Sequence, residues 1–193
     1  MELKKEITKE LLAESFYELM LTHDFEKITI KMITDSSNVI RPTFYYYFQD
    51  KYDLLEWIMV KKIFENTDKL IDMGMEIEAL KCIFVSIDKD RKFFTNAFKI
   101  TGQNSFEEML GEHVFLSFMK YINKHPVADN QKLKLFRPET IARYYTIGIV
   151  NVIKSWLFEI HGNKISADDI FEGYKFMISH TFFDLFKNRV GGR

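Results

Sequence analysis

Apolar residues recur at intervals of three and four along most of the chain, which is the pattern of helices with one buried face. Only three prolines and eight glycines interrupt this pattern in 193 residues, and we find no convincing strand alternation. We therefore predict an all-α protein of about nine helices. They are a first helix up to about residue 22, short helices over 30–36 and 41–47, a long helix over 51–73, and five more within 76–87, 90–100, 103–122, 137–160 and 166–188.

The two short helices are predicted from residues with special backbone requirements. Thr29 can cap the short helix over 30–36, because its hydroxyl can accept a hydrogen bond from a free amide of the first turn. Asn38 lies between the helices and tolerates the positive φ that a tight turn demands. Pro42 lacks an amide hydrogen and fits only near a helix start, which places the second short helix over residues 41–47.

Helical spacing sorts the side chains of this second helix into an inner and an outer set. Phe44 and Phe48 fall on one face and are expected to point inward, whereas Tyr46 falls on the opposite face. The flanking positions carry a cation, a hydroxyl and two phenol rings: Arg41, Thr43, Tyr45 and Tyr47. Such a surface on two short helices is typical of a helix-turn-helix, whose second helix enters the major groove of DNA.

The outer side chains have chemistry that suits DNA. Arg41 can donate two hydrogen bonds to guanine, and Pro42 and Thr43 can pack against thymine methyl groups. Tyrosine hydroxyls can bind phosphate oxygens. Lys51, in the first turn of the next helix, places a cation beside free backbone amides, which suits a phosphate contact.

The segment 28–55 resembles the DNA-binding signature of the tetracycline-repressor (TetR) family of bacterial transcription regulators. The matching positions are Thr29, Ile33, Asn38 with Val39, the run 43–48, and Lys51. The resemblance implies a helix-turn-helix domain over 1–50 and a helical ligand-binding and dimerisation domain over 51–193, with 51–73 as the connecting helix. It implies phosphate contacts by Thr29, Tyr45, Tyr47 and Lys51, and contacts to bases or the groove by Lys31, Arg41, Pro42, Thr43 and Tyr46. No cofactor is expected.

Two features oppose DNA binding. Ile40 stands where the family carries a capping Ser or Thr, which costs about 1 kcal/mol of helix stability. Residues 1–60 also hold eleven Asp and Glu against seven Lys and Arg. Within 27–51, however, four bases meet two acids, so we expect modest, salt-sensitive binding unless Lys4, Lys5 and Lys9 also reach the DNA backbone. A TetR-like co-regulator with weak or lost DNA binding stays open as an alternative.

The last predicted helix is apolar around most of its circumference and needs cover on two sides. Its own chain can supply one cover and a second copy the other, so we expect a homodimer through a four-helix bundle of the last two helices, which the resemblance also implies. The expected interface residues are Gly148, Ser155, Tyr174, Met177, Thr181 and Leu185. Such a dimer would bind a roughly palindromic operator. Segments 93–110 and 148–160 further resemble the effector half of a TetR branch that includes activators of dihydroxyacetone-kinase operons.

Aromatic, Met and polar residues between helices 5 and 8 are candidates for an effector pocket, although such stripes are more often plain core. The candidates are Phe93, Phe94, Phe98, Gln103, Phe106, Met109, His113, Tyr144, Tyr145 and Trp156. The effector would be an unknown small molecule or a partner protein.

Rival functions find little support in the sequence. An enzyme is not indicated, because Gly-x-Ser-x-Gly, a glycine-rich phosphate loop and His-Glu-x-x-His are all missing. A metal sensor is a closer rival, but no two of the five histidines have helical i, i+3 or i, i+4 spacing. No catalytic residue and no metal site is predicted.

The cysteine content gives no sign of an oxidising compartment. Cys82 is the single cysteine, so no intrachain disulfide is possible. The charged start of the chain does not look like a signal peptide, and no segment approaches the ~18 apolar residues of a membrane span. We expect a cytoplasmic protein. The net charge of −1 adds no preference for a partner.

Overall fold

The computed structural model describes residues 2–125, 136–158, 165–181 and 183–185. Within these ranges the chain forms nine α-helices and no strand. The all-α prediction is therefore confirmed. The first three helices are α1 (Glu2–Thr22), α2 (Ile30–Ser37) and α3 (Arg41–Tyr47), with a 3-10 turn (Phe25–Lys27) between α1 and α2.

The fourth helix, α4, is continuous but not uniform. It comprises Lys51–Met59, a π-helical turn over Val60–Phe64, and Glu65–Asp72. The remaining helices are α5 (Glu76–Lys89), α6 (Arg91–Ala97), α7 (Phe106–Lys124), α8 (Pro138–Phe158) and α9 (Ala167–Ser179). No helix in the described part of the chain is long and apolar enough to cross a membrane.

One prediction about helix length was wrong. The last helix was expected to run to about residue 188, but it ends at Ser179, and His180 is extended with φ −125° and ψ 147°. The Ser179 hydroxyl donates to the Phe176 carbonyl oxygen at 3.0 Å, and His180 Nδ1 lies 2.9 Å from the same oxygen. These side chains take the place of the next amides of the helix. Residue 182 and residues 186–188 lie outside the described ranges.

Buried side chains from both halves of the chain form one contiguous core that extends from α1 to α9. Phe16 and Phe44 are the largest fully buried side chains of the first three helices. Phe84, Phe93, Phe94, Phe106 and Trp156 have the same role in the later helices. The predicted domain boundary between residues 50 and 51 stays a prediction.

A small polar network joins α1 to the later helices, and we call it the Asp90 joint: Tyr17, Lys62 and Asp90. The Tyr17 hydroxyl donates to Asp90 Oδ1 at 2.7 Å, and Lys62 Nζ donates to Asp90 Oδ2 at 2.9 Å. Burial, and the hydrogen bond to the Asp90 carboxylate, raise the pKa of Tyr17 to about 12. Its ring stacks on Phe93 at 4.9 Å between centroids. The joint therefore connects α1, α4 and the α5–α6 junction.

Candidate nucleic-acid interface and effector cavity

The turn between α2 and α3 is built by the residues that the sequence singled out. The Thr29 hydroxyl accepts a hydrogen bond from the Met32 amide at 3.2 Å. Asn38 ends α2 in the left-handed region with φ 52°. Pro42 lies in the first turn of α3, and Ile40 at its N-cap makes no side-chain capping bond. The helix-turn-helix therefore has the predicted local geometry.

Helix α4 follows α3 and is capped at its start by the Asp50 side chain. Asp50 Oδ1 accepts from the amides of Tyr52 and Asp53 at 2.8 and 3.0 Å. The Gln49 amide in turn donates to the Asp53 carboxylate at 2.9 Å. These bonds fix the chain between α3 and α4, so the orientation of α3 is set at both of its ends.

The faces of α3 separate as helical spacing predicts. Phe44 and Phe48 are buried, at 0% and 2% exposure, whereas Tyr45 and Tyr46 are 49% and 67% exposed. Thr43 and Tyr47 are half-buried on the flanks. We call the exposed set, with the neighbouring cation of α2, the recognition surface: Lys31, Arg41, Pro42, Tyr45 and Tyr46.

The guanidinium of Arg41 has a defined position on this surface. Its Nη2 donates to the Tyr45 hydroxyl at 3.0 Å, and its centre lies 5.5 Å from the Tyr45 ring centroid. The remaining N–H groups of the guanidinium are available to an outside acceptor, since Arg carries five donors.

Lysines of α1 extend the positive charge beside α3. Lys5 Nζ lies 6.0 Å from the Tyr46 ring centroid, and Lys9 Nζ lies 5.8 and 5.9 Å from the rings of Phe48 and Trp57. The side chain of Lys4, named with them in the sequence analysis, is outside the described part. The sequence did not identify the contact with α3, because it depends on the packing of α1.

Lys51 has internal partners instead of the open position expected for a phosphate contact. Its Nζ donates to the carbonyl oxygens of Phe25 and Ile28 at 2.7 and 3.1 Å. The same nitrogen lies 4.1 Å from the Phe25 ring centroid. Burial lowers the pKa of the Lys51 ammonium, while the carboxylates of Glu26 and Asp50 oppose the shift.

Most of the predicted pocket residues are packed core. Exposure is 0% for Phe93, Phe94, Phe106 and Trp156 and 5% for Phe98. Neighbouring rings among the four phenylalanines lie 5.0–5.9 Å apart, and Trp156 Nε1 donates to the Ile165 carbonyl at 3.0 Å. These rings are buried against one another in the described part of the chain, and a role for them in effector binding stays a prediction.

The other pocket candidates are scattered. Gln103 is exposed, Tyr144 is 74% exposed and Tyr145 is half-buried beside Phe118. His113 Nε2 lies 2.8 Å from Glu56 Oε1, a contact that joins α7 to α4. Met109 lines an acidic cleft between the α3–α4 turn and α7. The structure therefore does not bring these residues together.

An apolar cavity does occur elsewhere, between the second half of α4, α5 and α7, with a volume of about 210 Å³. Its lining includes a few polar residues, among them Ser117, whose Oγ donates to Asp68 Oδ1 at 3.4 Å. A larger cleft of about 570 Å³ beside the 3-10 turn is lined by charged residues such as Asp24, Lys27 and Lys99 together with apolar ones such as Leu21 and Phe25. The cavity is lined by Thr67, Ile71, Glu76, Ile77, Ala79, Leu80, Ile83, Val114, Ser117, Phe118 and Tyr121.

The residues assigned to a dimer interface fall into two groups. Gly148, Met177 and Thr181 are exposed, and Ser155 and Leu185 are half-buried. Tyr174 is only 3% exposed and packs against Phe84 at 5.8 Å between ring centroids. Tyr174 is therefore core and not a free interface residue. The large exposed apolar side chains of α8 and α9 include Tyr144, Ile147, Phe176, Met177 and Ile178.

Metal binding gains no support from the geometry. Among the residues that the structure describes, no group of three His, Cys, Asp or Glu side chains could hold a metal ion.

Family models match both parts of the chain. Residues 17–58 match the model of bacterial regulatory proteins of the tetR family, and residues 77–180 match that of a transcriptional regulator C-terminal region. The chain belongs to the TetR family. It is a transcriptional regulator, and the expected family is confirmed. The proteins of this family that it resembles are regulators and not enzymes.

Individual relatives agree with this assignment. The chain is 26% identical over 167 residues to the HTH-type dhaKLM operon transcriptional activator DhaS of Lactococcus lactis, and the match covers 84% of each chain. It shares the fold of a solved dihydroxyacetone kinase operon activator DhaS, with a TM-score of 0.63, 22% identity, and coverage of 90% of this chain and 94% of the other. A TetR transcriptional regulator from Streptococcus agalactiae gives a TM-score of 0.59 at 18% identity, with 92% and 96% covered. The predicted likeness to this branch is confirmed.

Proposed function

We propose that this TetR regulator acts in the cytoplasm as a homodimer that binds a roughly palindromic operator through α3. The observation that carries this proposal is the separation of the α3 faces, because the buried phenylalanines fix the helix and leave Arg41 and Tyr46 free for a partner. Arg41 would bind guanine, and Pro42, Thr43 and Tyr46 would fill the groove. Thr29, Tyr45 and Tyr47 would bind phosphates.

The acidic first sixty residues do not prevent this function, because several carboxylates are already paired. Glu6 lies 2.5 Å from Lys61 Nζ, whose ammonium lowers the pKa of the Glu6 carboxyl. Asp24 is paired with Lys27 at 2.8 Å. Lys5 and Lys9 then add positive charge next to α3. The proposal requires only that the local field around α3 be positive, since phosphates interact within about a Debye length.

The dimer would form through α8 and α9. Their exposed apolar side chains include Tyr144 and Ile147, at 74% and 70% exposure, and Phe176 at 52%. Large exposed apolar side chains on two helices favour association with another protein surface. A second copy of the chain covers these side chains with two-fold symmetry, and the dimer then carries two copies of α3 for two half-sites.

The apolar cavity is the proposed effector site. Its volume of about 210 Å³ suits a small, mostly apolar molecule. Helix α4 supplies Thr67 and Ile71 to the cavity and carries Lys51 at its other end. A ligand that changes the position of α4 would therefore act on the support of α3.

Operator binding is tested by fluorescence anisotropy with DNA from upstream of the gene and with scrambled DNA, at two salt concentrations. We expect the wild type to prefer the upstream DNA and Tyr46→Ala to lose about tenfold of that preference, the value of one base contact. Phe136→Ala, at an exposed aromatic residue outside every proposed site, is the control and should bind as the wild type does. Equal, weak binding of both DNAs by all three proteins would favour the co-regulator without DNA binding.

A further inference from the structure

The position of Lys51 is unusual for a cation on a DNA-binding surface. Two of the three N–H groups of its ammonium are directed to carbonyl oxygens of the same chain, at 2.7 and 3.1 Å. The Phe25 ring covers the nitrogen from another side at 4.1 Å. Lys31 provides the contrast, because its side chain is 81% exposed and its nearest carboxylate, that of Asp35, is 3.8 Å away.

A phosphate would have to compete with these partners. Moving the ammonium to a phosphate would leave the Phe25 and Ile28 carbonyls without their donor and would give up the contact with the ring. Burial has already lowered the pKa of Lys51, which means that the site stabilises the charge less well than water does. The internal contacts nevertheless hold the side chain in place.

The two carbonyls belong to a segment that positions the helix-turn-helix. Phe25 lies in the 3-10 turn after α1, and Ile28 directly precedes Thr29, the N-cap of α2. The Phe25 ring is also packed against Phe16 and Tyr52, at 6.2 and 4.8 Å between centroids. Lys51 thus connects the start of α4 to the start of α2, and α3 lies between these two helices in the chain.

We propose that Lys51 is a positioning residue, which fixes α2 and α3 relative to α4 through the Phe25 and Ile28 carbonyls and does not neutralise a phosphate. The proposal rests on the operator binding proposed above. It separates two kinds of lysine on one surface. Lys31 and Lys5 contribute charge to DNA binding, whereas Lys51 contributes the geometry that selective contacts need.

The salt dependence of binding distinguishes the two roles. We would measure the affinity of the wild type, Lys51→Met and Lys31→Met for operator and scrambled DNA at several salt concentrations. For Lys51→Met we expect about a tenfold loss of operator affinity, unchanged affinity for scrambled DNA and an unchanged salt slope. For the control Lys31→Met we expect both DNAs to bind more weakly and the slope to fall by about 0.9, the value of one phosphate contact.

Other results with Lys51→Met would overturn the proposal. A salt slope that falls by about 0.9, with equal weakening on both DNAs, would assign Lys51 to a phosphate. A lower melting temperature with unchanged operator preference would make its role merely structural. A wild type without operator preference would remove the proposed function, and the positioning role with it.

A second experiment needs no variant. Acetylation of lysines in the wild type, followed by mass spectrometry, reports how accessible each amine is with and without operator. We expect Lys51 to react slowly in the free protein and to gain no further protection on DNA, while Lys31 reacts fast and becomes protected. Fast reaction of Lys51 that the operator suppresses would contradict the positioning role, even if Lys51→Met does not fold.

Discussion

The recognition surface and the Asp90 joint are both built from polar and aromatic side chains, but the polar groups of the two regions have different hydrogen-bond partners. On the recognition surface the Tyr46 phenol faces solvent, and the Tyr45 hydroxyl accepts from the exposed Arg41. In the joint, the Asp90 carboxylate is 12% exposed and accepts from both Tyr17 and Lys62. The difference shows which polar groups hold the structure and which remain free to bind a partner. Substitutions at the joint should therefore affect stability, and those on the surface should affect DNA binding.

The strongest test lies within α3 itself. Phe44→Ala removes a ring that is 0% exposed and should lower the free energy of unfolding by about 3–5 kcal/mol, because it opens a cavity in the core. Tyr46→Ala, two residues away, is the matched control and should change it by less than about 0.5 kcal/mol. Urea denaturation followed by circular dichroism measures both. Equal losses would mean that the two faces of α3 do not differ in burial.

The next test breaks the joint. Asp90→Ala leaves the Tyr17 hydroxyl and the Lys62 ammonium without their common acceptor, so we expect a loss of about 2 kcal/mol in the free energy of unfolding. The control is Asp72→Ala, which removes an exposed partner of Lys120 and Lys124 and should have little effect. A joint variant as stable as the wild type would show that these hydrogen bonds are exchanged for water without loss.

A substitution in the cavity should separate the effector response from DNA binding. Ser117 is 8% exposed and lines the cavity, so Ser117→Leu should fill part of it and raise the free energy of unfolding by about 1 kcal/mol. Operator affinity without effector should stay unchanged, because the recognition surface is not touched. Thermal shift with a panel of small apolar compounds should show a response in the wild type that is lost in the variant. A retained response would place the effector elsewhere.

The smallest expected effect concerns the missing cap of α3. Ile40→Ser should stabilise the protein by about 0.5–1 kcal/mol, because a hydroxyl at the N-cap can accept from an amide of the first turn. Ile40→Ala, which removes the exposed side chain without adding a cap, is the control and should not stabilise. Thermal denaturation compares the two variants. A gain with alanine as large as with serine would mean that the apolar surface of Ile40, and not the cap, limits stability.

Local signals allowed the first fifty residues to be predicted closely. The cap of Thr29, the positive φ of Asn38 and the position of Pro42 each depend on residues a few positions away, so the sequence was sufficient for them. In the Asp90 joint, Tyr17 is 73 positions and Lys62 is 28 positions away from Asp90 along the chain. No local pattern in the sequence indicates such a pairing. Candidate pocket residues could not be placed from the sequence for the same reason, because a stripe of aromatic residues does not reveal whether a neighbouring helix fills the space beside it.

The π-helical turn in α4 has a consequence for how its two halves are oriented. Before the turn the buried positions are Leu54, Leu55, Ile58 and Met59, within it they are Ile63 and Phe64, and after it they are Thr67 and Ile71. The extra residue keeps both sets on one side of the helix, because a regular α-helix would rotate the second set by about 100°. The angular offset between the half that supports α3 and the half that lines the cavity is therefore fixed by one inserted residue. Removing that residue would turn the cavity-lining half by about 100° relative to the half that supports α3.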